Sequence, residues 1–204
     1  MYRKEHNVRL AFAGLKGGVG KSTSAVHVAA GLAALNEPVL LIDADPQGSA
    51  LRWHERAEFE WRAFSLPTKT IHRQVDRLAG SDHVVIDTPP GDLGIVTSAL
   101  RAVDTLIVPV QPTAADMDQL AETLSLAEDV SALNDLRVLI LLTRVVKGTK
   151  AQAQTRATLV EAGLKVMVSE VPQSQSLALS HGQPIESLGA YAGVVDELLE
   201  GRIK

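Results

Sequence analysis

Lys16-Gly17-Gly18-Val19-Gly20-Lys21-Ser22-Thr23 packs glycines, two cations and two hydroxyls into one short run. That mixture suits the holding of a polyphosphate. Backbone N–H groups can surround phosphate oxygens only where no side chain blocks the approach, and glycine permits both the approach and the unusual dihedrals. Gly17, Gly18 and Gly20 supply that freedom, with Val19 contributing backbone between them. Lys21 is placed to reach the β- and γ-phosphates, Ser22 to ligate Mg²⁺, and Thr23 to donate on the α-phosphate side. The common Gly-x-x-x-x-Gly-Lys-Ser/Thr pattern fails here, because Leu15 stands where its first glycine belongs and Gly14 is one place early. Lys16 is a second cation, where an ordinary phosphate loop needs none.

Carboxylates follow at two later apolar runs. Leu41-Ile42 leads into Asp43-Ala44-Asp45-Pro46-Gln47-Gly48, and Val84-Val85-Ile86 leads into Asp87-Thr88-Pro89-Pro90-Gly91. Asp and Pro are common in strand-end turns for purely structural reasons. Beside a phosphate loop, a carboxylate at Asp43 or Asp45 can instead orient an attacking water or hold the hydration shell of Mg²⁺. Asp87 ends a Walker B-like strand. Mg²⁺ keeps several waters, so Asp87 is expected to act through one of them. The stiff Thr88-Pro89-Pro90-Gly91 turn is a candidate γ-phosphate sensor, with a plain turn as the alternative.

These groups must be carried to one place by regular elements. Strand-like runs occupy residues 8–13, 39–42, 84–86, 106–110, 138–142 and 164–168, with a weaker edge strand at 60–65. Helical spacing covers 22–35, 49–57, 71–78, 95–102, 117–130, 149–162 and 187–199. The alternation predicts one α/β domain over residues 1–204: a doubly wound, mostly parallel sheet with helices on both faces. Ligands of such sheets sit at the carboxyl ends of strands, where every motif above falls. Hydrophobic residues make up 46% of the chain and aromatics 3%, so the core must be aliphatic. There is no cysteine, which excludes disulfides, thiolate catalysis and Cys-ligated metal centres. No signal-peptide pattern or membrane-spanning run is present, and a cytoplasmic protein is expected.

With these segments in hand, the chain resembles the ParA/MinD family of deviant Walker, P-loop ATPases, and within it the small, ParF-like DNA-partition ATPases. The carriers are the Lys16–Thr23 run, Asp43-Ala44-Asp45-Pro46-Gln47, Ile86-Asp87-Thr88-Pro89-Pro90-Gly91 and Val108-Pro109-Val110-Gln111-Pro112. Leu51-Arg52-Trp53 and Leu142-Thr143-Arg144 add to it. The resemblance implies ATP and Mg²⁺ sandwiched in an ATP-dependent homodimer, with Lys16 crossing to the partner's phosphates. It further implies that Asp45 orients the attacking water, that Asp43 supports the magnesium shell, and that Thr143, Arg144 and Pro172 build the adenine pocket.

No DNA-binding extension precedes the first strand, so operator-specific binding is not expected. The resemblance implies non-specific DNA binding by the ATP dimer, association with the nucleoid, and release when a ParB-type partner on a centromere-like site stimulates hydrolysis. Net charge is −4, but residues 137–165 carry six bases against one acid. Arg144, Lys147, Lys150 and Arg156 are the candidate DNA contacts, with a solvated basic face as the alternative. Two other readings are a MinD-like regulator on the membrane surface and a positioning ATPase for a protein cargo. The first needs a basic amphipathic C-terminal helix. Residues 191–204 have an apolar stripe but mixed charge, which suits a helix packed on the sheet and no membrane insertion.

Overall fold

Aliphatic runs with no polar side to turn to water become strands buried on both faces, and the computed structural model, which describes residues 7–80 and 82–200, places five of them in one sheet with a sixth, exposed edge strand. The order along the chain is β1 (Arg9–Phe12), α1 (Lys21–Ala34), β2 (Val39–Asp43), α2 (Ser49–Arg56), β3 (Arg62–Ser65), α3 (Val75–Ala79), β4 (His83–Asp87), α4 (Leu93–Leu100), β5 (Thr105–Val110), α5 (Ala114–Ser131), β6 (Arg137–Leu142), α6 (Lys150–Glu161), α7 (Gln175–Leu179) and α8 (Ala190–Glu200). The sheet runs β3-β2-β4-β1-β5-β6 and every pairing is parallel.

Alternation along the strands splits the core in two. Leu10, Phe12, Leu41 and Val85 face the layer that holds α1, α2 and α8. Ala11, Leu40, Ile42 and Ile86 face α4, α5 and α6. From β1 the chain crosses to β2 on one side, whereas β5 lies against β1 on the other. The crevice between those two directions opens above the carboxyl end of β1, where the phosphate loop begins.

Helix starts follow local chemistry. The Thr113 hydroxyl accepts from the Asp116 amide at the start of α5, Thr149 from Gln152 at α6, and Asp92 from Ile95 at α4. The apolar stripe of α8, with Tyr191, Val194, Val195 and Leu198, is buried against α1 and the sheet. No described helix is long and apolar enough to cross a membrane.

Three of the elements expected from the sequence differ in the structure. Residues 71–78 are not one helix: a single 3-10 turn at Ile71–Arg73 breaks at Gln74 before α3 starts. The C-terminal helix starts at Ala190, after Gly189 takes a left-handed φ of 52°. Residues 164–168 are not a strand and make one parallel bridge, Ile140 to Val166. Glu197, on α8, accepts from the Val168 amide at 2.8 Å and the Ser169 amide at 2.6 Å, and the chain meets β6 again where the Val171 amide donates to the Leu142 carbonyl at 2.9 Å. Glu197→Ala would leave two amides without an acceptor and is expected to destabilise the fold by about 1–3 kcal/mol. Chemical denaturation checks this, and an unchanged midpoint would show that water replaces the carboxylate.

Candidate active site

β1 ends at Phe12, and the chain runs through Gly14 to Gly20 before Lys21 opens α1. Gly18 and Gly20 have φ of 75° and 97°, a region that a side chain disfavours. These dihedrals turn the loop back over the strand end and aim the start of α1 into the crevice. Three consecutive residues there, Lys21, Ser22 and Thr23, form the first helical turn, where amides have no partner within the helix and the dipole favours an anion. Lys21 is 6% exposed, and its ammonium donates to the carbonyls of Gly14 at 3.0 Å and Lys16 at 2.8 Å. Burial pushes its pKa down, against the pull of Asp87 and then Asp45. A cation held in so dry a place gains strongly from an anion brought beside it.

Asp87 and Asp43 stand opposite each other at the paired ends of β4 and β2, and both are fully buried. Their roles differ. Asp43 accepts from the Asp45 amide at 3.1 Å and the Leu51 amide at 2.8 Å, so it ties the strand-end turn to the start of α2. Asp87 has no hydrogen bond to either oxygen; the Ser22 hydroxyl lies beside it without ordinary hydrogen-bond geometry. Burial pushes the Asp87 pKa up to about 8, with Ser22 pulling it down and Asp43 adding to the rise. A buried carboxylate with two orphaned oxygens next to a serine hydroxyl is a donor set that fits a hard divalent cation such as Mg²⁺ and its waters. Asp45 is half-buried, and one of its oxygens accepts from the Gln47 amide at 2.8 Å.

The Thr88 hydroxyl donates to the Phe12 carbonyl at 3.0 Å and so pins the start of the Thr88–Gly91 turn to β1. Pro90 lies against Gly17. Gln111, after β5, donates to the Gly18 carbonyl at 3.3 Å. The ends of β4 and β5 therefore both reach the loop that β1 leads into.

Lys16 has a partner that spacing along the chain does not reveal. Its ammonium lies 2.8 Å from the Asp116 carboxylate, whose side chain is 3% exposed against 33% for Lys16. Thr113 also donates to that carboxylate. Asp116 lies in the first turn of α5. Only the folded chain brings it to the loop.

A cavity of about 380 Å³ opens beside Gly20 and Thr23. Thr143, Arg144 and Pro172 line it, as do Gln173, Ser174 and Tyr191. The Thr143 hydroxyl is already committed to the Val19 carbonyl at 2.9 Å, so it positions the loop. Arg144 is exposed and has a φ of 50°. Sequence reading missed Gln173, Ser174, Tyr191 and the short α7. A helix of five residues shows no period, though Ser174 two residues after Pro172 carries the cap signal.

The remaining basic candidates separate. Lys147 and Lys150 are exposed. Arg156 is bound to Glu170 at 2.8 Å and to the Met167 carbonyl at 2.8 Å, so its charge is compensated within the chain.

A parallel doubly wound sheet with a glycine loop entering a helix at the switch point defines a phosphate-loop nucleotide-binding protein. Residues 10–185 match the model of the CobQ/CobB/MinD/ParA nucleotide-binding domain, and the chain belongs to that family. It is 41% identical over 154 residues to the maintenance of carboxysome distribution protein A of Gloeobacter kilaueensis, covering 73% of this chain and 69% of that one. It is 32% identical over 209 residues to the chromosome-partitioning ATPase Soj of Thermus thermophilus, covering 83% of each. Among solved structures, cobyrinic acid a,c-diamide synthase from Mycobacterium smegmatis with bound ATP analogue and magnesium superposes with a TM-score of 0.77 at 24% identity, covering 96% of this chain and 95% of that one. The ATP complex of a Cyanothece McdA variant gives 0.74 at 19% identity over 97% and 95%. At such identities these structures show the shared fold alone. The chain is thus a member of the partition and positioning ATPase family.

Proposed function

We propose that the chain is a Mg²⁺-dependent ATPase that dimerises around ATP, binds DNA non-specifically in that state, and is released when a partner stimulates hydrolysis. The single observation that carries this reading is the presence of two lysines in one loop with different settings. Lys21 is buried under its own loop, whereas Lys16 is one-third exposed at its rim. One phosphate chain needs the first; the second suits a phosphate brought by a second copy.

In this reading the amides at the start of α1 and the Lys21 ammonium bind the phosphates. Ser22 and Asp87 hold Mg²⁺, the latter through water, and the ion supplies neutralisation of phosphate charge. Asp43 fixes the turn that carries Asp45, and can reach the ion's hydration shell. Asp45 orients the attacking water. Lys16 exchanges Asp116 for the phosphate of the partner subunit. Thr143 holds the loop edge, while Arg144 and Pro172 border the base. Lys147 and Lys150, with Arg144, contribute positive charge for DNA phosphates, and compensated Arg156 adds least. A ParB-type protein is the partner this scheme calls for.

The test is DNA cosedimentation with and without ATP at low salt, expected to show ATP-dependent retention. Retention equal in both conditions would sink the nucleotide-timed scheme. Lys16→Ala is expected to keep ATP binding but lose most of the ATP-dependent dimer in sedimentation velocity. An undiminished dimer would count against the lysine acting across subunits. Asp45→Ala is expected to bind ATP and turn over at least about 100-fold more slowly, accumulating the dimer. Normal turnover would move the water-orienting role to Asp43.

A second reading, positioning of a protein cargo, is favoured by the 41% identity to a carboxysome-distribution protein. It uses the same nucleotide cycle and differs in what the partner carries.

A further inference from the structure

A second cavity lies on the other helical layer, between the 3-10 turn and α4, and shares no residue with the base pocket. Its volume is about 320 Å³ and its lining includes Lys69, His72, Thr97, Ser98 and Arg101 but no acid. Lys69 is held by the fold. The stem of Lys69 lies across α4 so closely that a Cβ on Gly94 would meet its Cδ and Cε at 2.8 Å. Ser98 is 2% exposed; it accepts from the His72 amide at 3.4 Å and lies 2.9 Å from His72 Nδ1. That contact ties the imidazole ring to α4, and its direction follows the tautomer of the ring. Burial lowers the His72 pKa, and Arg101 and then Arg73 add to the effect.

Neither Lys69 nor Arg101 forms an ion pair among the described residues. Asp76, nearby in sequence, is paired with Arg9 at 2.5 Å. Asp92 caps α4 through the Ile95 amide. The positive charge around His72 thus has no counterpart in the cavity wall.

We propose that Lys69, His72, Thr97, Ser98 and Arg101 form a binding site for a single phosphate group on a small ligand, separate from the nucleotide cleft. A tetrahedral dianion takes donors from several directions, and an ammonium, a guanidinium, an imidazole in its Nε2–H tautomer and the Thr97 hydroxyl around a concavity supply them. A continuous polyanion fits less well. α5 packs beside α4 and exposes Asp118, Glu122, Glu128 and Asp129, which would repel a strand running past the pocket. Because α4 starts just after the Thr88–Gly91 turn, a ligand here loads the helix that follows the candidate γ-phosphate sensor.

The test uses the full chain loaded with ADP and Mg²⁺, so that the phosphate loop is filled. Inorganic phosphate is titrated against chloride at equal ionic strength while the His72 Hε1 signal is followed by NMR, its assignment made with His72→Gln. The expected result is a saturable shift specific to phosphate, with a midpoint below about 10 mM, which is weakened at least about 10-fold in Arg101→Glu. Arg101 is exposed, so that variant should retain the native melting curve. No saturable shift, or an equal one in Arg101→Glu, would overturn the site. A short DNA duplex that displaces phosphate and binds more tightly would reassign the cluster to DNA contact and also overturn it.

Discussion

Lys21→Ala is expected to lose ATP binding by at least about 100-fold, or roughly 2.8 kcal/mol, in titration calorimetry. The size follows from the setting. The ammonium is 6% exposed and held between the Gly14 and Lys16 carbonyls, where water cannot take its place. An anion meeting it there forms a charge-assisted hydrogen bond in a dry site, the stronger kind. Lys21→Arg should fare little better, because a planar guanidinium does not fit where a compact ammonium is gripped by two carbonyls. Circular dichroism must first show that both variants fold. Native affinity in a folded Lys21→Ala protein would remove the phosphate-loop assignment.

For Asp87 the expected result is opposite for stability and for binding. Its carboxyl is fully buried, and its pKa is raised from 3.8 to about 8. Between those values the folded chain keeps a proton that the unfolded chain has released. Stability therefore falls as pH rises through that window, and no such cost exists below it. Asp87→Asn cannot ionise. In magnesium-free buffer, its melting temperature minus that of the native chain should rise from pH 5 to pH 8. Added Mg²⁺ and nucleotide should then stabilise the native chain far more than the variant. Parallel pH profiles would show that Asp87 does not carry the buried charge. Equal stabilisation by Mg²⁺ and nucleotide would move the ion elsewhere.

Both results rest on groups legible before folding, and the reason is contiguity. The loop from Lys16 to Thr23 keeps its neighbours whatever the chain does beyond it, and glycine spacing directly specifies backbone geometry. Apolar runs with carboxylates at their ends marked β2 and β4 for the same reason. Legibility failed where a short element depends on a distant one. Residues 164–168 have the composition of a strand, but the Ser169 amide, next in register to pair with β6, goes to Glu197 on α8. α7 has five residues, too few to show a period.

The amino-acid sequence by itself determined the nucleotide-binding class, the alternating parallel architecture and the identities of the groups at each strand end. These depend on local periodicity and on residue types within one or two turns. Tertiary structure decided what each group touches. It set Asp43 opposite Asp87 yet gave Asp43 two amides and left Asp87 with none. It paired Lys16 with Asp116, 100 residues away, and spent Arg156 on Glu170. Such pairings depend on which strand ends and helix starts the sheet order brings together, and no local pattern carries that information.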